Sequence, residues 1–248
     1  MRALWLFHRN AAVLGRAVLV SGALLACAGW MLSAAEPKAE VWIFDRLDKI
    51  GGLPVTVLGR PRVIKTPLGK AIQFNGVDDA LFIPEHPLAG AETFTWEAIF
   101  RPDGGAEEQR WFHLAEQDPK TGKDTDTRFL FEIRVIQNQW CLDAFVHTPK
   151  ASHALMFRNL LHPLNTWHTV AMVYDGQEFR SYVDGELQGK FAIHFDPEGP
   201  GHSSIGTRIN RVNYFKGAVR MARFTRRPLT PDEFLKLPAA LRTVASTR

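Results

Sequence analysis

Three apolar runs, Thr169–Tyr174, Glu178–Val183 and Leu187–Phe191, are separated by two Asp-Gly pairs, Asp175-Gly176 and Asp184-Gly185. Asp-Gly supplies the positive-φ positions of tight hairpin turns, so residues 167–190 read as three antiparallel strands in a meander. The apolar face of such a sheet needs a second layer to cover it. The segment therefore predicts a two-layer sandwich with its function on loops or on one face.

The rest of the chain repeats the pattern. Short apolar segments at 41–45, 53–58, 71–76, 80–84, 94–102, 110–116, 129–136 and 140–147 are punctuated by Gly, Pro, Asn and Asp, and further ones follow at Ser203–Gly206 and Gly217–Phe224. Many short strands of this kind argue for a sandwich or barrel and against alternating strands and helices. One helix is predicted. Thr230 caps it, Pro231 suits its first turn, Glu233 completes a capping box, and it ends before Pro238. Residues 239–248 are expected to form a flexible tail.

The N-terminus is read as a leader. Arg2, Arg9 and Arg16 precede an apolar run, Ala17–Leu32, with no acidic residue, and Ser33-Ala34-Ala35 offers the small residues of a cleavage site. Residues 1–35 are thus expected to be a signal peptide cleaved after Ala35, giving a secreted or periplasmic protein. Two alternatives are open: acylation of Cys27 in Leu24-Leu25-Ala26-Cys27, and retention as a membrane anchor, for which 16 apolar residues fall short of the ~20 that span comfortably. Removing the leader's three arginines from 30 basic residues leaves 27 against 26 acidic ones. The basic character belongs mostly to the leader, and Arg220, Arg223, Arg226 and Arg227 are spaced as strand and turn positions, so nucleic acid is dropped as a partner. Cys141 is then the only cysteine of the exported chain and reads as a small buried residue. Without an internal disulfide the fold must rest on its core, to which Trp42, Trp96, Trp111, Trp140 and Trp167 contribute.

Four stretches carry a resemblance: Phe74-Asn75-Gly76-Val77-Asp78-Asp79 leading into Phe82-Ile83-Pro84, FTWEAIFRP at 94–102, the meander, and FKGAVRMARFTRRPLTPDEF at 215–234. In this order they resemble the laminin G-like jelly rolls of the concanavalin A-like lectin and glucanase superfamily, in their bacterial form. The resemblance implies an all-β fold, a two-sheet antiparallel β-sandwich (jelly roll) over residues 36–238. One sheet would be concave, and the last strand would lead into a short C-terminal helix. Members of the superfamily are variously glycan-binding modules, protein-binding modules and glycan-cleaving enzymes, so residues must decide.

Many glycan-binding relatives hold calcium, which takes six to eight oxygen ligands. Asp78 and Asp79 after a Gly-containing turn, and Asp118, Asp124 and Asp126 in a polar loop, are the candidate ligands; the plain alternative for Asp78 and Asp79 is a turn role. In the late strand, Gly217-Ala218-Val219-Arg220 puts a cation where such relatives often carry an acid. For a sugar, the candidates are Arg208, Asn210, Arg211, Asn213 and Tyr214 on one loop, with Trp111, His113 and Trp140 facing them from the concave sheet. The plain alternative makes the tryptophans core and the loop solvated. Glu97, an acid inside FTWEAIF, is expected to be neutralised by Arg223 in an ion pair.

Enzymatic patterns are incomplete. The Glu-x-Asp-x-x-Glu strand of laminarinase-type relatives does not occur. Glu132-Ile133-Arg134 and Tyr214-Phe215-Lys216 resemble parts of the alginate lyase pattern, but Leu130 stands where that pattern has Arg and no Gln-x-His pair occurs, leaving His113, His147 and His168 as bases to consider. His168 reads as structural, the histidines lack zinc spacing, and Ser152, Ser203 and Ser204 lack a nucleophile elbow. The sequence therefore points to an exported, non-catalytic binding module for glycan. A protein-docking or adhesion module for a cell-envelope protein is the second reading, and a polysaccharide-cleaving enzyme the third. Contact with a membrane is expected only through the leader or a lipid anchor, if the leader is uncleaved.

Overall fold

The computed structural model describes residues 39–241. The leader with Cys27 and its cleavage site, and residues 242–248 of the expected tail, lie outside the described residues. The strands run β1 (Glu40–Ile43), β2 (Lys49–Ile50), β3 (Leu53–Pro54), β4 (Thr56–Leu58), β5 (Arg62–Thr66) and β6 (Gly69–Asn75). They continue with β7 (Ala80–Ile83), β8 (Phe94–Pro102), β9 (Glu108–Gln117), β10 (Asp124–Ile136), β11 (Gln139–His147) and β12 (Ser152–Met156). The last six are β13 (His162–Pro163), β14 (His168–Tyr174), β15 (Glu178–Val183), β16 (Glu186–Ala192), β17 (Gly201–Ile205) and β18 (Lys216–Thr225).

The meander is β14, β15 and β16, antiparallel throughout. Its two turns differ. Asp184 and Gly185 both take positive φ, 52° and 87°, as a two-residue primed turn requires. At the other end only Gly176 is positive, and Asp175 Oδ1 accepts from the amides of Gln177 and Glu178 to close a longer turn.

Two large antiparallel sheets make the sandwich. The first has the order β16-β15-β14-β8-β18-β6-β5, with β1 also on β18; the second has β12-β11-β10-β9-β17-β7-β4, with β13 on β11. Glycine permits the tight contact of β18 with β8, because a Cβ at Gly217 would lie 2.2 Å from the Arg101 carbonyl oxygen. Alternate residues point inward: Phe94, Trp96, Ala98 and Phe100 from β8 meet Phe129, Phe131 and Ile133 from β10, all buried in one core. The aromatic rings interlock there. Trp111 lies parallel to Phe100 at 4.3 Å, and Trp96 packs on Phe131 at 4.3 Å. Cys141, the one cysteine among the described residues, is free and buried.

The two outer faces are treated differently, and this places the site. On the first sheet, Ile99, Ala171, Val173 and Tyr182 are covered by Leu229, Phe234 and Leu237 of the C-terminal segment. That segment corrects the sequence reading: the helix expected from Thr230 is a single 3-10 turn, Pro231–Glu233. The capping box does form, with the Thr230 amide donating to Glu233 Oε2 at 2.9 Å. The helix stops because the sheet takes the backbone groups it would need. Arg223 Nη2 donates to the Glu233 carbonyl at 2.7 Å, and the Leu235 amide donates to Glu97 Oε1 at 2.6 Å. A second 3-10 turn, Ala239–Leu241, follows. Among the described residues, the outer face of the second sheet carries the loop between β17 and β18 in place of such a roof.

Candidate functional site

The polar residues of that open face come from strict alternation. Phe129, Phe131 and Ile133 point into the core, so Arg128, Leu130, Glu132 and Arg134 point out. On β11 the same logic sends Asp143 and Phe145 outward, and the register sets Asp143 opposite Glu132. Ala154 and Met156 of β12 and Arg110 of β9 complete the row, and Arg208 leans in from the loop. Together these ten residues line a pocket of about 230 Å³ with four guanidinium groups, two carboxylates and an apolar floor.

Two of the arginines are spent on the acids. Arg110 Nε lies 3.0 Å from Glu132 Oε1, and its other nitrogens meet Glu108 and the Asn213 side chain. Arg134 Nη2 bridges Glu132 Oε2 at 3.0 Å and Asp143 Oδ2 at 2.7 Å. Asp143 is nevertheless pushed up to about 6, chiefly by burial and then by the Glu132 carboxylate. The other two arginines are less committed. Arg128 Nη1 donates to the Asp126 carbonyl at 2.5 Å and its guanidinium lies over the Phe145 ring at 5.2 Å, but its Nε is buried without a partner. Arg208 Nε is likewise buried without a partner.

The loop that was expected to carry a sugar site is pinned to this face. Ile209 donates its amide to His113 Nδ1 at 2.9 Å, the Arg110 amide donates to the Asn213 carbonyl at 2.9 Å, and Arg211 and Asn213 take positive φ to make the bends. His113 is 1 % exposed, and burial, helped by Arg208 and Arg128, holds it well below the ordinary imidazole range. It is a neutral strut. Of the eight residues proposed for a ligand, Arg208 alone lines the pocket. Asn213 and His113 hold the loop, Asn210 is exposed, Tyr214 is half-buried, and Arg211 stacks on Phe82. Trp111 and Trp140 must be corrected: both are fully buried, Trp111 between Phe100 and Phe131, and Trp140 with its Nε1 donating to the Pro163 carbonyl at 3.1 Å. They fill the sandwich because they alternate onto the inner face, and they offer no platform to solvent.

Sequence reasoning passed over Arg110, Arg128, Asp143, Phe145 and Met156, and noted Glu132 and Arg134 only through a lyase-like pattern. The signal was there in Arg128-x-Leu130-x-Glu132-x-Arg134, a two-residue period opposite an all-apolar one. The strand register that joins it to Asp143 and Arg110 was not.

Among the described residues, no group of three or more His, Cys, Asp or Glu side chains is placed to hold a metal ion. The five aspartates proposed for calcium have local duties instead. Asp79 is buried and accepts from the amides of Arg60 at 2.6 Å and Asn75 at 2.9 Å; Asp78 accepts from the Asn75 side chain. Asp118 closes its own turn through the Lys120 and Thr121 amides, Asp124 lies 2.6 Å from His202 Nε2, and Asp126 sits beside Arg128. These residues do not converge and do not fit a shared cation. Elsewhere, Arg223 Nε donates to Glu97 Oε2 at 2.6 Å, and burial raises the Glu97 carboxyl. His168 Nδ1 lies 2.7 Å from Asp184 Oδ2 and ties the hairpin turn to the start of β14.

A sequence profile described as the concanavalin A-like lectin/glucanases superfamily, of laminin G type, matches residues 75–234. The chain belongs to this superfamily. Its matched segment runs from the last residue of β6 to Phe234 of the roof, so it takes in strands of both sheets and every residue of the pocket. Domain 4 of AbnA, a GH43 extracellular arabinanase from Geobacillus stearothermophilus solved with arabinotriose, is similar in fold, with a TM-score of 0.61 at 17 % identity over 80 % of this chain and 97 % of that one. The receptor binding domain of botulinum neurotoxin D aligns with a TM-score of 0.58 at 13 % identity, over 79 % of this chain and 50 % of that one. The binding domain of Paraclostridial Mosquitocidal Protein 1 aligns at 0.56 and 11 %, again covering 79 % of this chain and 50 % of that one. No curated protein sequence matches the chain.

Proposed function

We propose that the protein is an exported, non-catalytic carbohydrate-binding module whose ligand lies on the open outer face of the second sheet. The observation that carries this reading is the pocket. It gathers the guanidinium groups of Arg128 and Arg208, each with one buried nitrogen that lacks a protein partner, beside the apolar side chains of Leu130, Ala154 and Met156. Planar donors beside apolar surface suit the hydroxyls and the C–H face of a sugar ring. The arabinanase domain, which shares this fold, was solved with a trisaccharide, and that supports a glycan as the ligand class. Binding without cleavage is supported by the acids: Glu132 and Asp143 are each 3 % exposed and share the Arg134 guanidinium, and the one carboxylate oxygen left without a partner, Asp143 Oδ1, is buried. Export rests on the leader reading of residues 1–35.

A second reading, docking of a protein, is favoured by one observation. Phe157, Leu187 and Phe191 are exposed where the edge strands of the two sheets approach, and Phe191 stacks on His153 at 3.6 Å. A glycan array probed with the purified protein, with calcium and again with chelator, separates the two. Binding to a defined set of glycans supports the carbohydrate reading. No binding across a broad panel under either condition transfers the function to the Phe157–Phe191 edge.

A further inference from the structure

Among the residues that line the pocket the charges do not balance, and the carboxylates that offset them lie outside it, Glu108 on Arg110 and Asp126 near Arg128. Four guanidinium groups and two carboxylates line it. Arg110 and Arg134 are fully engaged with Glu108, Glu132, Asp143 and Asn213. Arg128 has a backbone carbonyl, the Phe145 ring and Asp126, whose side chain is 91 % exposed and 3.7 Å away. An exposed contact of that length neutralises little. Arg208 and Arg128 also act on each other: the Arg128 guanidinium is shifted down by burial and next by the positive charge of Arg208. The same field reaches His113 beneath them, where Arg208 and Arg128 add to the effect of burial. Two like charges facing one cavity, each with a buried donor left unsatisfied, are a cost that folding alone does not explain.

We infer that the pocket recognises an acidic glycan, whose carboxylate or sulfate group is held between the guanidinium groups of Arg128 and Arg208. This rests on the carbohydrate reading above and narrows its ligand class. A guanidinium is suited to planar, bidentate capture of such oxyanions. The volume sets the scale: about 230 Å³ is below the ~300 Å³ at which drug-sized ligands begin, so the cavity takes one ring or its acidic substituent while the rest of the chain runs over the sheet. Leu130, Ala154 and Met156 line the same pocket with apolar surface for that ring.

The experiment is calorimetric titration of the purified protein with three oligosaccharides of equal length, one neutral, one built of uronic acids and one sulfated. Arg128→Gln and Arg208→Gln are compared with wild type, each checked for an unchanged thermal midpoint. Arg211→Gln, which removes a guanidinium stacked on Phe82 outside the pocket, is the control. At least one acidic oligosaccharide should bind, more weakly as salt is raised. Each pocket variant should weaken it about ten-fold or more, the scale of one hydrogen bond to a charged group, and Arg211→Gln should leave it unchanged. Arg208 lies on a loop, so its variant keeps the test open if Arg128→Gln fails to fold. If the neutral sugar binds as well as the acidic ones and both pocket variants keep wild-type affinity, the inference is overturned while the carbohydrate reading stands. If none of the three binds, both fail.

Discussion

Arg134 Nη2 lies 2.7 Å from Asp143 Oδ2, yet Asp143 titrates at about 6, because burial and the neighbouring Glu132 outweigh that contact. The groups facing Asp143 are Glu132 and Arg134 from β10 and Glu108 and Arg110 from β9. Below pH 6 Asp143 is neutral and the pocket is more positive; above it a negative charge appears on the floor. Affinity for a sulfated oligosaccharide, which stays ionised throughout, should therefore fall as pH rises from 5 to 7.5. In Asp143→Asn that fall should flatten. An equally steep profile in the variant would remove Asp143 from the account.

His86 Nε2 and Glu198 Oε2 are 2.8 Å apart with both side chains fully buried. Burial pushes His86 down to about 4 and Glu198 well above the usual carboxylate range, so the folded pair keeps one proton across the mid-pH range. The unfolded chain holds two protons on these residues below about 4.5, one between about 4.5 and 6.5, and none above. The pair therefore favours the fold most between those values. Above about 6.5 the folded state binds the extra proton, and stability should fall by roughly 1.4 kcal/mol per pH unit until the pair deprotonates. Glu198→Gln removes that proton uptake, so denaturant unfolding at pH 5.5 and 8 should show a smaller loss in the variant. An equal loss in both proteins would contradict this.

Much of the fold was legible because local chemistry dictates it. The Asp-Gly pairs marked both meander turns, although only Asp184-Gly185 closes as a two-residue turn, and the short apolar segments 94–102 and 129–136 marked strands that do face the core. The helix at Thr230 was misread because its start signals are genuine but tertiary partners, Glu97 and Arg223, divert the backbone at Glu233 and Leu235. The pocket was hidden for a related reason. Arg110, Arg128, Arg134 and Asp143 come from three strands and are joined only by register, which one sequence does not print. The tryptophans misled in the opposite sense, since a large aromatic ring suits a sugar platform and a sandwich core equally well until its face is known.

Arg223 holds Glu97 ionised within a site where the carboxylate is 1 % exposed. Arg223→Ala leaves that charge buried and alone, and should cost about 3–5 kcal/mol in denaturant unfolding. Burial raises the Glu97 carboxyl, so the cost should shrink as pH falls and the acid is protonated. A loss below about 1 kcal/mol at neutral pH would mean that the ion pair does not anchor the C-terminal roof.

Asp79 serves the β6–β7 turn, accepting the Asn75 and Arg60 amides. Asp79→Ala should destabilise by about 2 kcal/mol or more by leaving buried amide donors unmet. Calcium and chelator should leave the wild-type thermal midpoint and its glycan affinity unchanged. A calcium-dependent rise in the midpoint that Asp79→Ala abolishes would restore a cation to this turn.

The central claim concerns location, and a crystal structure of the protein with a bound acidic oligosaccharide decides it. The acid group should lie within hydrogen-bond distance of Arg128 and Arg208, with a sugar ring against Met156. A saccharide seated on the Phe157–Phe191 edge, with the arginine pocket empty, would contradict it.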